Sequence, residues 1–406
     1  LKKILYICSL EKVGGHETAL CDLLESETFQ NNAINHLYAL NNKVHYHLLK
    51  RLKKTQVSVS IARSSWGMNI PLSLSKLKYK WIEKRFRPSL IIFWNCIGSI
   101  KSKYKWLYDN DIPYLYFERG NIVSTDFDQN RLYFLNSAEL IVANSFSSSR
   151  HIDLRFNPAT RIKVFHSASG SAIQSNVNCN KSFSDGTFKI GICGRLVSIK
   201  GFAVVFHAVK LLKDRGHILE LHVAGTGPEE KRLYHLASQL DVREQIFFHG
   251  LIDSNKMNSF YNSIHLLVIP SIRESFPRVA IEAQHMGCPV IVARVDGMPE
   301  TIVEGVTGYS IPPSLNINQY IKMGGTDKGL PELVYDPDRD ALVSPKALNP
   351  EDLAEKIVLL LKNPDLYEKL SQNAHNIVKQ RFDHENHFKT IWQTFQEVLS
   401  SRLERF

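Results

Sequence analysis

Short, continuously apolar segments alternate with helical stretches twice along this chain, and that rhythm admits few folds. In the first half, "KILYIC" (3–8), "INHLYAL" (34–40), "VSVSI" (57–61), "LIIFW" (90–94), "YLYF" (114–117), "ELIVA" (139–143) and "IKVF" (162–165) read as strands. Hydrophobicity that runs on without alternating marks strands buried on both faces, as in parallel sheets covered by helices. A polar stretch, "SASGSAIQSNVNCNKSFSDG" (167–186), then reads as a linker. The pattern restarts with "FKIGIC" (188–193), "LELHVA" (219–224), "QIFFH" (245–249), "HLLVIP" (265–270) and "PVIVA" (289–293), with helices expected over 202–213, 228–239 and 278–286. Strand–helix alternation repeated in this way predicts two doubly wound α/β domains, and 406 residues suffice for both. Ligands of such folds bind beyond the carboxyl ends of the strands, so a cleft between two domains is the expected site.

Composition narrows the classes. No apolar stretch approaches a membrane span, and no charged leader with an apolar run is expected at the start. Six scattered cysteines without a C-x-x-C pair suggest neither a disulfide framework nor a zinc site, and they fit a reducing cytoplasm. Charge is uneven: residues 1–180 hold 24 Lys+Arg against 13 Asp+Glu, and the remainder 26 against 27. The excess concentrates in "KLKYKWIEKRFR" (76–87) and "KSKYKW" (101–106), where cations interleave with Tyr and Trp. Three readings stand: a solvated helix face, an anionic membrane surface met through 76–106, or nucleic acid.

The acidic residues of "RESFPRVAIEA" (273–283) pose a sharper problem. Retaining glycosidases place two carboxyls about 5 Å apart. Eight helical steps from Glu274 to Glu282 would span roughly 12 Å. Pro277 moreover favours a helix start and disfavours helix at the residue before it. Glu274 is therefore expected in a loop and Glu282 inside the following helix, suited to the two ends of one long ligand. In "SLEKVGGHETAL" (9–20), Gly14 and Gly15 make a tight turn before a helix expected near Thr18. Neither this stretch nor "AGTGPEE" (224–230) is a G-x-G-x-x-G fingerprint. In "GICGRLVSIKGF" (191–202), Arg195 and Lys200 flank a short loop before a helix, a pattern suited to a pyrophosphate.

Taken together, "GRLVSIKGF", "VAGTGPEEKRL", "FHGLIDSNKMNSFYNSIHLLVIPS" and "ESFPRVAIEAQHMGCPVIVARVDGMPETIVEGVTGY" resemble glycosyltransferase family 4, the large retaining family with the GT-B fold, specifically across 188–312. "KVGGHETAL", "AELIVANSFSSS" (138–149) and "RFDHENHFKTIWQTF" (381–395) resemble its Gly-Gly loop, end-of-domain strand and last helix. The resemblance implies an acceptor-binding Rossmann-like domain over 1–175, with a C-terminal helix at about 385–406 packing back on it. It implies a donor-binding domain over 187–384, the two facing across a cleft. Arg195, Lys200 and Glu274 would be catalytic. Arg195 and Lys200 would hold the donor diphosphate in place of a metal, Glu274 would contact sugar hydroxyls, and Glu282 would accept from ribose hydroxyls. Gly14, Gly15, Gly194, Gly250, Leu251, Ser275, Phe276 and Pro277 complete the implied donor contacts.

Three departures from the family pattern stand out. A His that many members carry beneath the sugar is absent from "YLYFERGN" (114–121), leaving Glu118, Arg119 or His16 as substitutes. Pro277 removes one backbone donor from the turn after Glu274. The segment 314–349 is longer than the usual connection, either a covering or acceptor-touching loop or a solvated insertion. The resulting expectation is a metal-independent, cofactor-free retaining transferase. It would move a hexose or N-acetylhexosamine from a UDP- or GDP-sugar to a saccharide or lipid-linked acceptor in surface polysaccharide or lipopolysaccharide synthesis. It is expected in the cytoplasm or peripherally at the inner membrane face, without nucleic acid as partner. The alternatives are a GT-B nucleotide-sugar epimerase and a non-catalytic carbohydrate- or nucleic-acid-binding module.

Overall fold

The structure, a computed structural model, describes residues 1–41, 43–62, 64–65, 68–69, 71–99, 102–168, 181, 187–253 and 256–403. Most of the 167–186 linker, Cys179 and Lys101 lie outside the described residues. The chain divides into one unit formed by Leu1–Ser167 with His384–Phe406 and a second formed by Ala168–Asp383.

The first unit is built on a seven-stranded sheet. Its strands are β1 (Lys2–Cys8), β2 (Ala33–Ala39), β3 (Ser58–Ile61), β4 (Leu90–Trp94), β5 (Tyr114–Glu118), β6 (Leu140–Ala143) and β7 (Ile162–Val164). Their order is β3-β2-β1-β4-β5-β6-β7, every pair parallel. Continuous hydrophobicity is explained by what lies on each face. Ile4, Tyr6 and Cys8 of β1 join Leu20, Leu24 and Phe29 on one side, while Leu5 and Ile7 join Tyr79, Ile82 and Phe134 on the other. The first cluster also takes in the helix His384–Leu403, whose Trp392 and Phe395 rings meet Phe29 edge-on at 5.5 and 5.6 Å. Chain order reverses between β1 and β4, so their carboxyl ends make the switch point at which such sheets bind ligands.

The second unit has a six-stranded parallel sheet: β8 (Phe188–Cys193), β9 (Leu219–Ala224), β10 (Ile246–Gly250), β11 (Leu266–Ile269), β12 (Val290–Ala293) and β13 (Gly308–Ile311). Its order is β10-β9-β8-β11-β12-β13, with the switch between β8 and β11. Both sheets are thus doubly wound, as the alternation predicts.

Three local differences have physical causes. The first helix starts at Gly15 instead of near Thr18, because Thr18 already donates its N–H to Gly14 O at 3.1 Å. Strand β13 is absent from the sequence-based set, since "GYSI" is a short run that interleaves the small Gly308 and Ser310 with Tyr309 and Ile311 at the sheet edge. The 314–349 segment is folded. Its elements are a helix Ile317–Lys322 closed by an Asn316–Gln319 capping box and two antiparallel pairs, Leu315–Asn316 with Lys346–Ala347 and Val334–Asp336 with Ala341–Val343.

Burial also sets a pH dependence. It pushes the His36 and His285 imidazoles down to about 4, His285 being further depressed by His375 and Lys379 against a smaller opposing effect of Asp383. As pH falls from 6.5 toward 4, the unfolded chain takes up these protons first, so the stability present above pH 6.5 is lost across that window. The melting temperature is expected to fall by several degrees between pH 6.5 and 4.5. A His36→Gln/His285→Gln variant should show a flatter profile, and an unchanged slope would contradict the assignment.

Candidate functional site

At the switch point of the second unit, β8 ends at Cys193 and the chain turns through Gly194 (φ +141°) into the loop that carries Arg195 and Lys200. Glycines fix this loop by close approach. A methyl group at Gly225 would lie 1.9 Å from Gly194 O, and one at Gly227 would lie 2.3 Å from Leu196 O. Backbone bonds Gly194 N–H to Ala224 O (2.9 Å) and Leu196 N–H to Thr226 O (3.0 Å) lock the two loops together. The "AGTGPEE" glycines therefore serve loop packing. Gly201 (φ +66°) allows the next helix, Phe202–Asp214, to start directly under Pro270, whose carbonyl oxygen would lie 2.1 Å from an added methyl group. Arg195 is exposed, and among the described residues its guanidinium has no ion-pair or hydrogen-bond partner. Lys200, half-buried, forms an ion pair with Glu274.

Glu274 lies in the loop after β11, as Pro277 predicts, and the helix Arg278–His285 begins immediately beyond that proline. The buried Asp296 carboxylate accepts from Glu274 N–H at 3.1 Å, and Gly297 N–H donates to Glu274 O at 3.2 Å. Ser275 is buried, and the buried Phe276 meets Phe382 edge-on at 5.8 Å, anchoring the turn. Glu282, inside the helix, accepts from Tyr261 Oη at 2.9 Å through Oε2, while Oε1 has no partner among the described residues. Tyr261 is fully buried, and burial followed by the neighbouring Cys193 and Glu282 raises its phenol well above the ordinary value, so it remains a donor. The structure thus brings together Gly194, Arg195, Lys200, Glu274 and Glu282 around one switch point. Gly250 (φ +64°) ends the neighbouring edge strand β10, and Leu251 beside it is 78 % exposed. Three contributors escaped the sequence reading: Asp296, Tyr261 and Ser198. All lay within the quoted motifs, but nothing in their spacing marks a side chain that supports a neighbouring loop.

In the first unit, Gly14 and Gly15 follow β1 and open the helix Gly15–Glu25. His16 presents Nε2 to Glu17 Oε1 at 3.1 Å, and its carbonyl accepts from Trp94 Nε1 at 2.9 Å. Arg119 stacks over Trp94 with its guanidinium 4.9 Å from the ring centre and donates to Ser167 Oγ at 2.6 Å. His16, Trp94 and Arg119 therefore share the carboxyl ends of β1, β4 and β5. Glu118 requires a correction as a possible sugar or acceptor contact. It is fully buried, accepts Ile122 N–H at 3.0 Å as well as the Gly120 N–H, and pairs with the Tyr116 hydroxyl. It shapes the turn that presents Arg119. Glu17, also unremarked in the sequence, is buried with Oε2 lacking a partner among the described residues, and a methyl group at Gly14 would lie 2.9 Å from that oxygen.

Comparison with known proteins adds likenesses in sequence and in fold. Residues 178–323 match the family described as glycosyl transferases group 1. The uncharacterized glycosyltransferase MJ1607 of Methanocaldococcus jannaschii is 36 % identical over 120 residues, 30 % of each chain. The capsular polysaccharide biosynthesis glycosyltransferase CapM of Staphylococcus aureus is 26 % identical over 223 residues, 53 % of this chain and 47 % of that one. The chain thus spans less than half the length of either relative in these matches. Among solved structures, HepE of Anabaena in complex with UDP superposes with a TM-score of 0.73 at 19 % identity, covering 97 % of this chain and 100 % of that one. Its likeness is one of fold. Residues 178–323 are thus similar to the glycosyl transferases group 1 family, and the two-sheet α/β fold is like that of HepE.

Proposed function

We propose that this protein is a retaining glycosyltransferase of family 4. In this reading it moves a hexose or N-acetylhexosamine from a nucleoside diphosphate sugar, UDP ahead of GDP, to a saccharide or lipid-linked acceptor in surface polysaccharide synthesis. The observation that carries the reading is the Lys200–Glu274 ion pair, with an unengaged Arg195 at the same switch point and Glu282 held by Tyr261 on the following helix. A sugar nucleotide presents hydroxyls, a diphosphate and a ribose in sequence. A carboxylate, two cations and a second carboxylate match that order.

In mechanism, Lys200 and Arg195 stabilise the diphosphate as bond cleavage builds negative charge on it, which removes the need for a divalent metal. Glu274 orients the sugar through its hydroxyls, and Glu282 accepts from the ribose. The acceptor hydroxyl attacks on the face the diphosphate leaves and passes its proton to a departing phosphate oxygen, so configuration at the anomeric carbon is retained. The acceptor falls to the first unit, where His16, Trp94 and Arg119 cluster. A lipid-linked acceptor is supported by the helix Leu72–Phe86, on which Leu74, Leu77 and Trp81 are exposed among Lys76, Lys80, Lys84 and Arg85. No helix among the described residues is long and apolar enough to cross a membrane. The UDP bound to HepE supports a uridine donor, and the capsular polysaccharide role in the name of CapM supports a surface saccharide product.

Calorimetric titration with UDP, GDP, ADP and their common sugar conjugates, in EDTA, tests the reading. Binding of one nucleotide without metal is expected, with a matching rise in melting temperature. Absence of binding by every nucleotide would remove the donor site, and sugar turnover independent of any acceptor would favour the epimerase.

A further inference from the structure

The 314–349 segment touches both loops of the proposed donor site, and it does so through buried hydrogen bonds. On one side Tyr320, 1 % exposed, donates its hydroxyl to Ser198 O at 2.8 Å, while Thr326 N–H donates to Ser198 Oγ at 3.0 Å and Ser198 Oγ donates to Thr326 O. Ser198 opens the 3-10 turn Ser198–Lys200, so these bonds hold the backbone from which Lys200 projects. On the other side Tyr335 N–H donates to Asp296 Oδ1 at 2.8 Å, and Asp296 N–H returns a bond to Tyr335 O at 2.9 Å. The second carboxylate oxygen of Asp296 accepts from Glu274 N–H. Asp296 itself has φ +49°, a left-handed conformation that Asp tolerates better than most residues. A direct link completes the frame, Ile272 N–H donating to Ile199 O at 2.8 Å.

The rest of the segment is anchored away from the site. His207 contacts Met323 O at 2.9 Å, Arg232 donates to Gly325 O at 3.0 Å, and Arg294 lies 3.7 Å from Asp338. A loop acting as a mobile cover would not carry a capping box, two strand pairs and ties to three other elements.

We propose that 314–349 is a brace that fixes the Lys200 turn relative to the Glu274 turn, with Asp296 and Tyr320 as positioning residues for the diphosphate-and-sugar end of the donor. The inference rests on the function proposed above. Misplacement of a stabilising charge by even about 1 Å costs turnover steeply, so a brace of this kind shows itself in rate before affinity. The proposed nucleotide end, at Glu282 and Tyr261, makes no hydrogen bond or ion pair with the segment among the described residues.

The test uses the full chain with Asp296→Asn, Asp296→Gly and Tyr320→Phe, and Lys200→Ala as reference. Asp296→Gly keeps the left-handed backbone accessible while removing the carboxylate, and Asp296→Asn keeps one acceptor. Affinity for UDP, release of UDP from UDP-glucose, UDP-galactose and UDP-N-acetylglucosamine, and melting temperature are measured for each. A loss of turnover of roughly tenfold or more, with UDP affinity within about twofold of the parent, is expected for Asp296→Gly and Tyr320→Phe. Asp296→Asn should fall between Asp296→Gly and the parent. Turnover within twofold of the parent, or equal losses in turnover and UDP affinity that track melting temperature, overturns the brace. If Lys200→Ala still loses turnover in that case, the site reading survives. If Lys200→Ala is also silent, the site reading itself has failed.

Discussion

Lys200→Ala is expected to lower turnover on the order of 10²-fold while weakening donor binding far less. The reasoning begins with charge. In the proposed reaction, a full negative charge accumulates on the leaving phosphate oxygen as the bond from sugar to diphosphate breaks. A cation fixed beside that oxygen is worth more in the transition state than in the bound ground state. Loss of one preorganised donor of this kind corresponds to about 3 kcal/mol of barrier. Arg195 remains in the variant, but its exposed guanidinium lacks the fixed partner that Lys200 has. The Lys200 ammonium rests against Glu274, both half-buried, so neither charge is left unpaired. The pair also sets a geometric condition. Glu274 is to meet sugar hydroxyls and Lys200 the adjoining phosphate, and those groups are neighbours in a sugar nucleotide.

Removing the ammonium alone strands Glu274, which would repel the diphosphate. A Lys200→Ala/Glu274→Gln variant separates this from lost stabilisation. Partial recovery of donor binding without recovery of turnover is the expected pattern. Unchanged turnover in Lys200→Ala, measured at saturating donor, would remove the diphosphate role.

What the sequence made legible follows from where the information sits. Strand positions were legible because burial on both faces leaves an unbroken apolar run, as Ile4 to Cys8 and Leu266 to Ile269 illustrate. Edge strand β13 was not, because its short mixed run lacks that signature. The Lys200 loop and the Glu274–Glu282 spacing were legible through a proline and two cations at element ends. Asp296 was hidden, since its role depends on a hydrogen bond 22 residues away in sequence and another 39 residues away. Glu118 misled for the opposite reason. Its place beside Arg119 at a strand end looks like a site residue, but β5 points it inward, where two backbone N–H groups and Tyr116 consume its oxygens. Chain position identified the loops; the contacts between loops decided which side chains are presented and which ones support them.

Glu282→Ala completes the contrast, because its expected loss lies in binding. In the proposed function the carboxylate is a charged acceptor for neutral ribose hydroxyls, which do not change charge during the reaction. Its contribution is therefore similar in ground and transition states, and its removal appears in affinity. Hydrogen bonds to a charged group are worth about 1.5–3 kcal/mol each, so UDP affinity should fall roughly 10- to 100-fold. Turnover at saturating donor should stay within about threefold, since uniform binding energy does not alter the bound barrier. Tyr261 supplies an internal check. Its hydroxyl, 2.9 Å from Oε2, fixes one carboxylate oxygen and leaves the other for the proposed ribose contact. Tyr261→Phe keeps the ring that fills the core but frees the carboxylate to turn. It should therefore weaken UDP in the same direction as Glu282→Ala and by less, and adding it to Glu282→Ala should cost little more, because the two side chains act as one unit. Calorimetry of the two single variants and the double variant with UDP measures that coupling. Additive losses would mean that Tyr261 serves the fold alone, and a collapse of turnover with normal UDP affinity in Glu282→Ala would take the ribose role away from this residue.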